Sequence, residues 1–151
     1  MPVYDKTVTV FNKYTDRDDA VHWHPCVLHD VDLIVDKAAN VVKTGLDSAD
    51  TAKLHIRYKL DNGKKMIGER KYLESKEWKA AEDKTNMITF SDGDIFMEGK
   101  FPEDVIPDNE YTSRVYKGFY DYLNRTKDNV YLITSVGGPY TLIPHFEIGG
   151  K

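Results

Sequence analysis

The sequence predicts a mainly β protein with a minor helical part: a small barrel or sandwich of antiparallel strands carrying one amphipathic helix and one short helix. Three observations point there. The stretches 87–99 and 130–149 share one pattern, an apolar β-type run, a glycine turn and a second apolar run. Asp92-Gly93 and Gly137-Gly138 read as hairpin turns, because a tight turn between twisted strands needs torsions that glycine adopts at little cost. The stretch 51–60 alternates Leu54, Ile56, Tyr58 and Leu60 with His55, Arg57 and Lys59, giving one buried and one wet face. Ten tyrosines, several in apparent strands, suit a pleated surface. At 151 residues the chain is expected to form one domain over 1–151, long enough to bury a core without staples.

Taken in order, 6–12 is a strand in which Thr7, Thr9 and Phe11 alternate with Val8 and Val10, so both faces are candidates for cover. Residues 13–19 are polar and form a tip. A second strand, 21–28, is anchored by Trp23 and Val27. Pro25 cannot donate to a ladder, so this strand should lie at an edge or carry a bulge. Strand structure continues over 31–35. Residues 36–50 hold Asp36, Lys37, Asn40, Lys43, Asp47 and Asp50 and read as a long loop, either functional or a solvated connector with a short strand at Val41-Val42. Asp61-Asn62-Gly63 is a turn, and 64–71 runs back. A short helix starts at Ser75, a suitable N-cap, with Trp78 locking it to the sheet. The main helix is expected over 111–123, where Tyr111, Val115, Phe119 and Tyr122 make one apolar stripe. Gly118 inside it costs about 1 kcal/mol relative to Ala, which hints at a close backbone approach there. Two strands close the chain.

Composition narrows the function classes. The net charge is -4 and the pI about 5.7, against the basic face of a protein that grips nucleic acid. Cys26 is alone, so no internal disulfide is possible and a reducing compartment is expected. No secretory signal pattern opens the sequence, and no apolar run approaches the roughly 20 residues of a membrane span. We expect a soluble chain made in the cytoplasm, with no membrane partner.

Few residues carry a chemical signature. His22-x-His24-x-Cys26 puts two imidazoles and a thiol on one strand face, a weak zinc-type pattern. Pro25 disturbs it and no second Cys/His pair follows at a fixed spacing, so no metal and no cofactor are expected. Asp92-Gly-Asp94, with Glu98 and Glu103 beyond, lacks the spacing of a calcium loop and reads as a turn with a solvating acid. Neither a glycine-rich phosphate loop nor a Gly-x-Ser-x-Gly elbow is present, and no catalytic residue is assigned. The tyrosines at 111, 116, 120, 122, 131 and 140 exceed what one small core needs. They either half-bury over the sheet or serve an interface, and Tyr111, Tyr116, Tyr120 and Tyr140, with His145 and Phe146, are the interface candidates.

Further stretches carry a resemblance. Val8-Thr9-Val10-Phe11-Asn12, Trp23 before Val27-Leu28 and Val31, and Gly45-Leu46-Asp47-Ser48-Ala49-Asp50 before a strand form its first part. Tyr72-Leu73-x-Ser75-Lys76-Glu77-Trp78-Lys79, Gly93-Asp94-Ile95-Phe96-x-x-Gly99 and the run from Pro144 to Lys151 complete it. In order and texture the chain resembles small virion proteins of long-tailed phages and prophages of Gram-positive bacteria. Its N-terminal layout is similar to head-completion, or stopper, proteins of the head–tail connector.

The resemblance implies a non-enzymatic subunit of the virion neck: a β-barrel protomer in a ring of twelve between the portal–adaptor proteins and the tail. DNA would pass through the channel without specific binding, and the loop at 36–50 would face it. An acidic wall repels phosphate, so DNA slides rather than sticks. Ring closure needs two different patches that meet head to tail, and an edge strand or tail can pair with a neighbour by strand addition. The region 61–86 and the helix at 111–123 exceed a minimal stopper. The alternatives are a tail-terminator or tail-completion protein of the same neck and, from another class, a small metal-dependent enzyme using His22, His24 and Cys26.

Overall fold

The computed structural model describes residues 3–35 and 51–151. Strand β1 (Lys6–Thr15) turns at 16–20 into β2 (Val21–Val35), one continuous strand. Asp16 organises the tip by accepting from the backbone N–H groups of Asp18 at 2.8 Å and Ala20 at 3.0 Å. The register of β1 on β2 slips between Lys6 and Val8, and Asp30 takes a left-handed φ of 57° there. This bulge bends β2, so its first part pairs with β1 and its last four residues with β3 (Ala52–Arg57). Next to β3 lie β11 (His145–Gly150), β10 (Val130–Tyr140) and β8 (Ile95–Glu98), and β8 returns to β1. The result is a closed six-stranded antiparallel barrel, the fold class read from the sequence. Following paired residues from Val35 through Ala52, Gly150, Ile133, Asp94 and Asn12 returns to β2 at His24, eleven residues earlier. That stagger tilts the strands and lets side chains fill the interior.

The inner wall is apolar: Val8, Val10, Leu28, Leu54, Ile56, Phe96, Ile133, Phe146 and Ile148 are all buried. A four-stranded sheet, β4 (Lys59–Asp61), β5 (Lys64–Ile67), β6 (Arg70–Tyr72) and β7 (Met87–Ile88), covers one mouth. Its first hairpin turns on Asn62 and Gly63, with φ of 50° and 79° as a type I′ turn requires. Helix α1 (Ser75–Ala80) bridges β6 and β7 and buries Trp78 completely. Tyr72 and Phe90 reach into the barrel against Phe146, with ring centroids at 4.7 and 5.0 Å.

A second apolar layer sits outside. Short β9 (Ile106–Pro107) leads through a 3₁₀ turn, Asp108–Tyr111, to helix α2 (Phe119–Thr126). Phe119 and Leu123 pack on Phe11, Ile95 and Val130. Alternate residues of β1 therefore feed both layers, Val8 and Val10 inward and Thr9 and Phe11 outward, and both faces are covered.

Several expected elements are corrected. The main helix begins at Phe119, eight residues later than Tyr111; Gly118 is its N-cap at φ 140° and Val115 is exposed. Asp108 causes this: its carboxylate takes the Trp23 Nε1–H at 2.9 Å and the Phe119 N–H at 3.0 Å. A Cβ at position 118 would stand 3.0 Å from that carboxylate, so the close approach inferred at Gly118 is present, at a cap rather than mid-helix. Gly137-Gly138 lies within β10 at a register slip, and the β10–β11 turn is 141–144. Asp92-Gly93 connects the two sheets, since β7 pairs with β6 and β8 pairs with β1 and β10. Leu60 is exposed because the chain leaves the barrel at Tyr58. Ser75 is not the N-cap of α1; Glu74 holds that position, and the Ser75 hydroxyl bonds Ser91.

Pro25 fits through its direction. The Val27 N–H points to the side of β2 away from β1, where Glu103 accepts it. Pro25, two residues earlier, turns its missing N–H to that same side, where β9 pairs only with His22 and Trp23.

Candidate interaction surface

The proposed channel residues Asp36, Lys37, Asn40, Lys43, Asp47 and Asp50 lie outside the described residues. Their flanks are informative: Val35 and Ala52 are cross-strand partners, and Thr51 N–H donates to the Gly150 carbonyl at 2.9 Å. Val35 and Thr51, the described residues on either side of 36–50, therefore lie together at one point of the barrel rim. Strand directions put that rim at the end opposite the capping sheet.

His22, His24 and Cys26 do share a strand face, but they do not converge on a metal. His22 Nε2 meets Asp16 Oδ2 at 2.7 Å and its ring stacks on Tyr14. His24 Nδ1 lies 3.7 Å from Cys26 Sγ, and its ring meets Trp78 edge-on at 6.0 Å. Burial, then the charge of Arg70, lowers the His24 pKa, so the neutral imidazole is favoured. Burial pushes the Cys26 thiol up to about 12, leaving it protonated and a poor ligand or nucleophile at neutral pH. Among the described residues no group of three or more His, Cys, Asp or Glu is arranged to hold a metal ion.

A buried polar knot sits beside this pair. Asp94 is 2% exposed, not a solvated turn acid. Its carboxylate accepts from Asn12 Nδ2 at 3.0 Å, Lys13 N–H at 3.0 Å and Ser91 N–H at 3.1 Å. Asn12 also donates to the Thr89 carbonyl at 2.7 Å. Burial outweighs those three donors and pushes Asp94 up to about 6. The knot ties β1 to the β7–β8 connection, and each partner of Asp94 is a donor, which suits an acceptor-only carboxylate.

The aromatic candidates divide. Tyr111, Tyr116 and Tyr120 are half-buried. Tyr111 packs on Phe119 at 5.0 Å and Tyr122 at 4.7 Å, and Tyr116 meets Tyr122 at 5.3 Å. Their half-burial over the sheet is therefore satisfied within the chain, with edges still open. Phe146 is no surface residue: period two sends it into the barrel while His145 faces out. Tyr140 is exposed and stacks on His145 at 4.9 Å. Beyond them the turn carries Leu142, 95% exposed, and Ile143, 69% exposed, and Leu60, 64% exposed, lines the same cleft as Ile143. This apolar tip has no local signal, because Leu142 and Ile143 continue the apolar β-type pattern of 130–149.

One row of charges also escaped the sequence. Asp32, His55 and Glu147 are cross-strand neighbours on β2, β3 and β11. His55 Nδ1 lies 3.3 Å from Asp32 Oδ2 and its Nε2 3.7 Å from Glu147 Oε1, which His145 Nε2 approaches at 3.2 Å. The alternation of 54–60 marks His55 as outward, but only the register brings its partners alongside.

Neither the curated proteins nor the solved structures give a match to this chain. A family match is found across nearly the whole sequence: over residues 3–151 the chain belongs to DUF6751, a family of unknown function.

Proposed function

We propose that this chain is a structural virion subunit of the head–tail neck, of stopper or head-completion type, which works by fitting beside copies of itself and its neighbours. The exposed tip of the β10–β11 hairpin carries the reading. A soluble barrel that sets Leu142, Ile143 and Leu60 on one outer end has a surface suited to another protein. A closed barrel with a covered mouth and an acidic balance are compatible with a protomer lining a DNA channel. A ring would use two different patches, and the hairpin tip and the open tyrosine edges lie on different elements.

A cryo-electron microscopy map of particles encoded with this chain is the test. A ring of this barrel at the head–tail junction is expected. Its absence from assembled particles, or its location elsewhere in them, refutes the reading.

A further inference from the structure

The outer edge of β2 is half closed by the chain's own segment 101–107. Ile106 and Pro107 pair with Trp23 and His22 as β9, in antiparallel register. The segment then departs from the strand, and where its backbone would meet Val27 a side chain stands in. Glu103 Oε2 accepts the Val27 N–H at 3.2 Å and makes an ion pair with the Arg70 guanidinium. Arg70 is held for this contact: its side chain is 15% exposed, and Nη1 donates to the Thr85 carbonyl at 2.9 Å. Glu103 is the loose partner, 45% exposed on a segment without secondary structure.

Past Glu103 the edge lies open. No strand pairs with this side of β2 between Trp23 and Asp32 among the described residues. A cleft of about 680 Å³ runs there between Val27–Asp30, the Gly68-Glu69 turn and Phe101–Glu103. Its size falls within the roughly 300–1,000 Å³ of ligand-holding clefts.

We propose that this edge is a receptor for an extended peptide segment of another protein that carries a carboxylate, and that Glu103 is the intramolecular stand-in for that ligand. The incoming chain adds as a strand beside Val27–Asp30, where main-chain hydrogen bonds give affinity. Its carboxylate displaces Glu103 from Arg70 and the Val27 N–H, a fixed guanidinium and an amide that together select an anion. The pairing at Trp23–Ile106 shows that this edge accepts a strand, and Glu103 shows which charge it accepts. The inference does not depend on the neck assignment, which rests on the exposed hairpin tip; the cleft beside Leu60 and Ile143 adjoins this one and shares His29, Asp30 and Gly68 with it, but not Arg70 or Glu103.

The test uses the full chain and a fluorescent synthetic peptide copying residues 100–107, the one sequence seen against this edge. Glu103→Ala is expected to bind the peptide about tenfold more tightly than the native chain, the scale of one charge-assisted hydrogen bond released from competition. Binding to Glu103→Ala is expected to slow hydrogen exchange at the Val27 amide. It should fall by a similar factor when the peptide's own glutamate is replaced by glutamine, a change that leaves the protein untouched, and again with Arg70→Gln. Absence of saturable binding to Glu103→Ala, binding indifferent to the peptide carboxylate, or an unprotected Val27 amide overturns the proposal.

Discussion

Asp94→Asn separates the cost of a buried charge from the value of its hydrogen bonds. Burial raises the Asp94 pKa from 3.8 to about 6 despite three donors. A carboxyl whose folded pKa is raised favours folding most below its unfolded pKa of 3.8, and that contribution is lost as pH rises through about 6. With these two values, Asp94 makes the fold more stable at pH 5 than at pH 7.5 by about 1.4 kcal/mol, within a full span of about 3 kcal/mol. Asparagine does not titrate. Its carboxamide also leaves a donor facing a donor, either Lys13 N–H or the pair from Asn12 and Ser91, at about 1–3 kcal/mol. The penalty of the substitution should therefore be larger at pH 5 than at pH 7.5 by about 1.4 kcal/mol. His24 acts in the opposite sense, because its lowered pKa takes stability away on acidification. It is common to both proteins and cancels in the difference. The depressed carboxyls of Asp16, Asp83 and Asp121 titrate below this window. Denaturant titrations at the two pH values, followed by the fluorescence of Trp23 and Trp78, measure the effect. A penalty that is the same at both pH values, or greater at pH 7.5, refutes the account of a desolvated carboxyl.

Other consequences are equally open to measurement. Phe146→Ala should cost about 3–5 kcal/mol in chemical denaturation, since it empties the centre of the barrel. Leu142→Ser should change stability by less than about 0.5 kcal/mol, while lowering any self-association seen by analytical ultracentrifugation. Gly118→Ala should destabilise by about 1–3 kcal/mol, because φ 140° is hostile to a side chain and the Asp108 carboxylate stands where the Cβ would go; an unchanged melting temperature would show that Asp108 yields freely. The Cys26 thiol should react with a disulfide reagent only as fast as the chain opens, a rate that denaturant accelerates, since burial keeps it protonated.

Periodicity made the barrel legible. Leu54, Ile56 and Tyr58 alternate because β3 has one face in the core, and the run from Val8 to Phe11 breaks that alternation, with Val8, Val10 and Phe11 around a small Thr9 and all four buried, because β1 has two. The errors share a cause, which is that distant residues decided local structure. Asp108 reaches across to the Phe119 N–H and starts α2 there, overriding a helical stripe that looked continuous from Tyr111. Leu60 follows the alternation of its neighbours but belongs to another sheet, and nothing within 51–60 marks the crossing at Tyr58. Asp94 sits in a sequence that reads as a wet turn; two of the three donors that hold it inside come from β1, more than 80 residues upstream, and only Ser91 N–H is local. The pairing of His22, His24 and Cys26 on one face was legible, whereas the Asp16 contact that engages His22 depends on the shape of the tip. Glu103 and Arg70 carry no local signal at all, since their meeting requires the capping sheet to stand beside β2.

The order of strands around the wall has a bearing on synthesis. β10 and β11 are made last yet are inserted between β8 and β3, so the cylinder has a gap of two staves until both have emerged. The β1–β2 hairpin and the capping unit are able to form early, whereas the seam between the two halves must wait. Pairings so distant along the chain are slow to close, and the unfinished wall exposes strand edges in the meantime. A ribosome paused before Val130 would therefore hold an open, adhesive sheet, and chaperone demand should peak over that interval rather than during synthesis of the first hairpin.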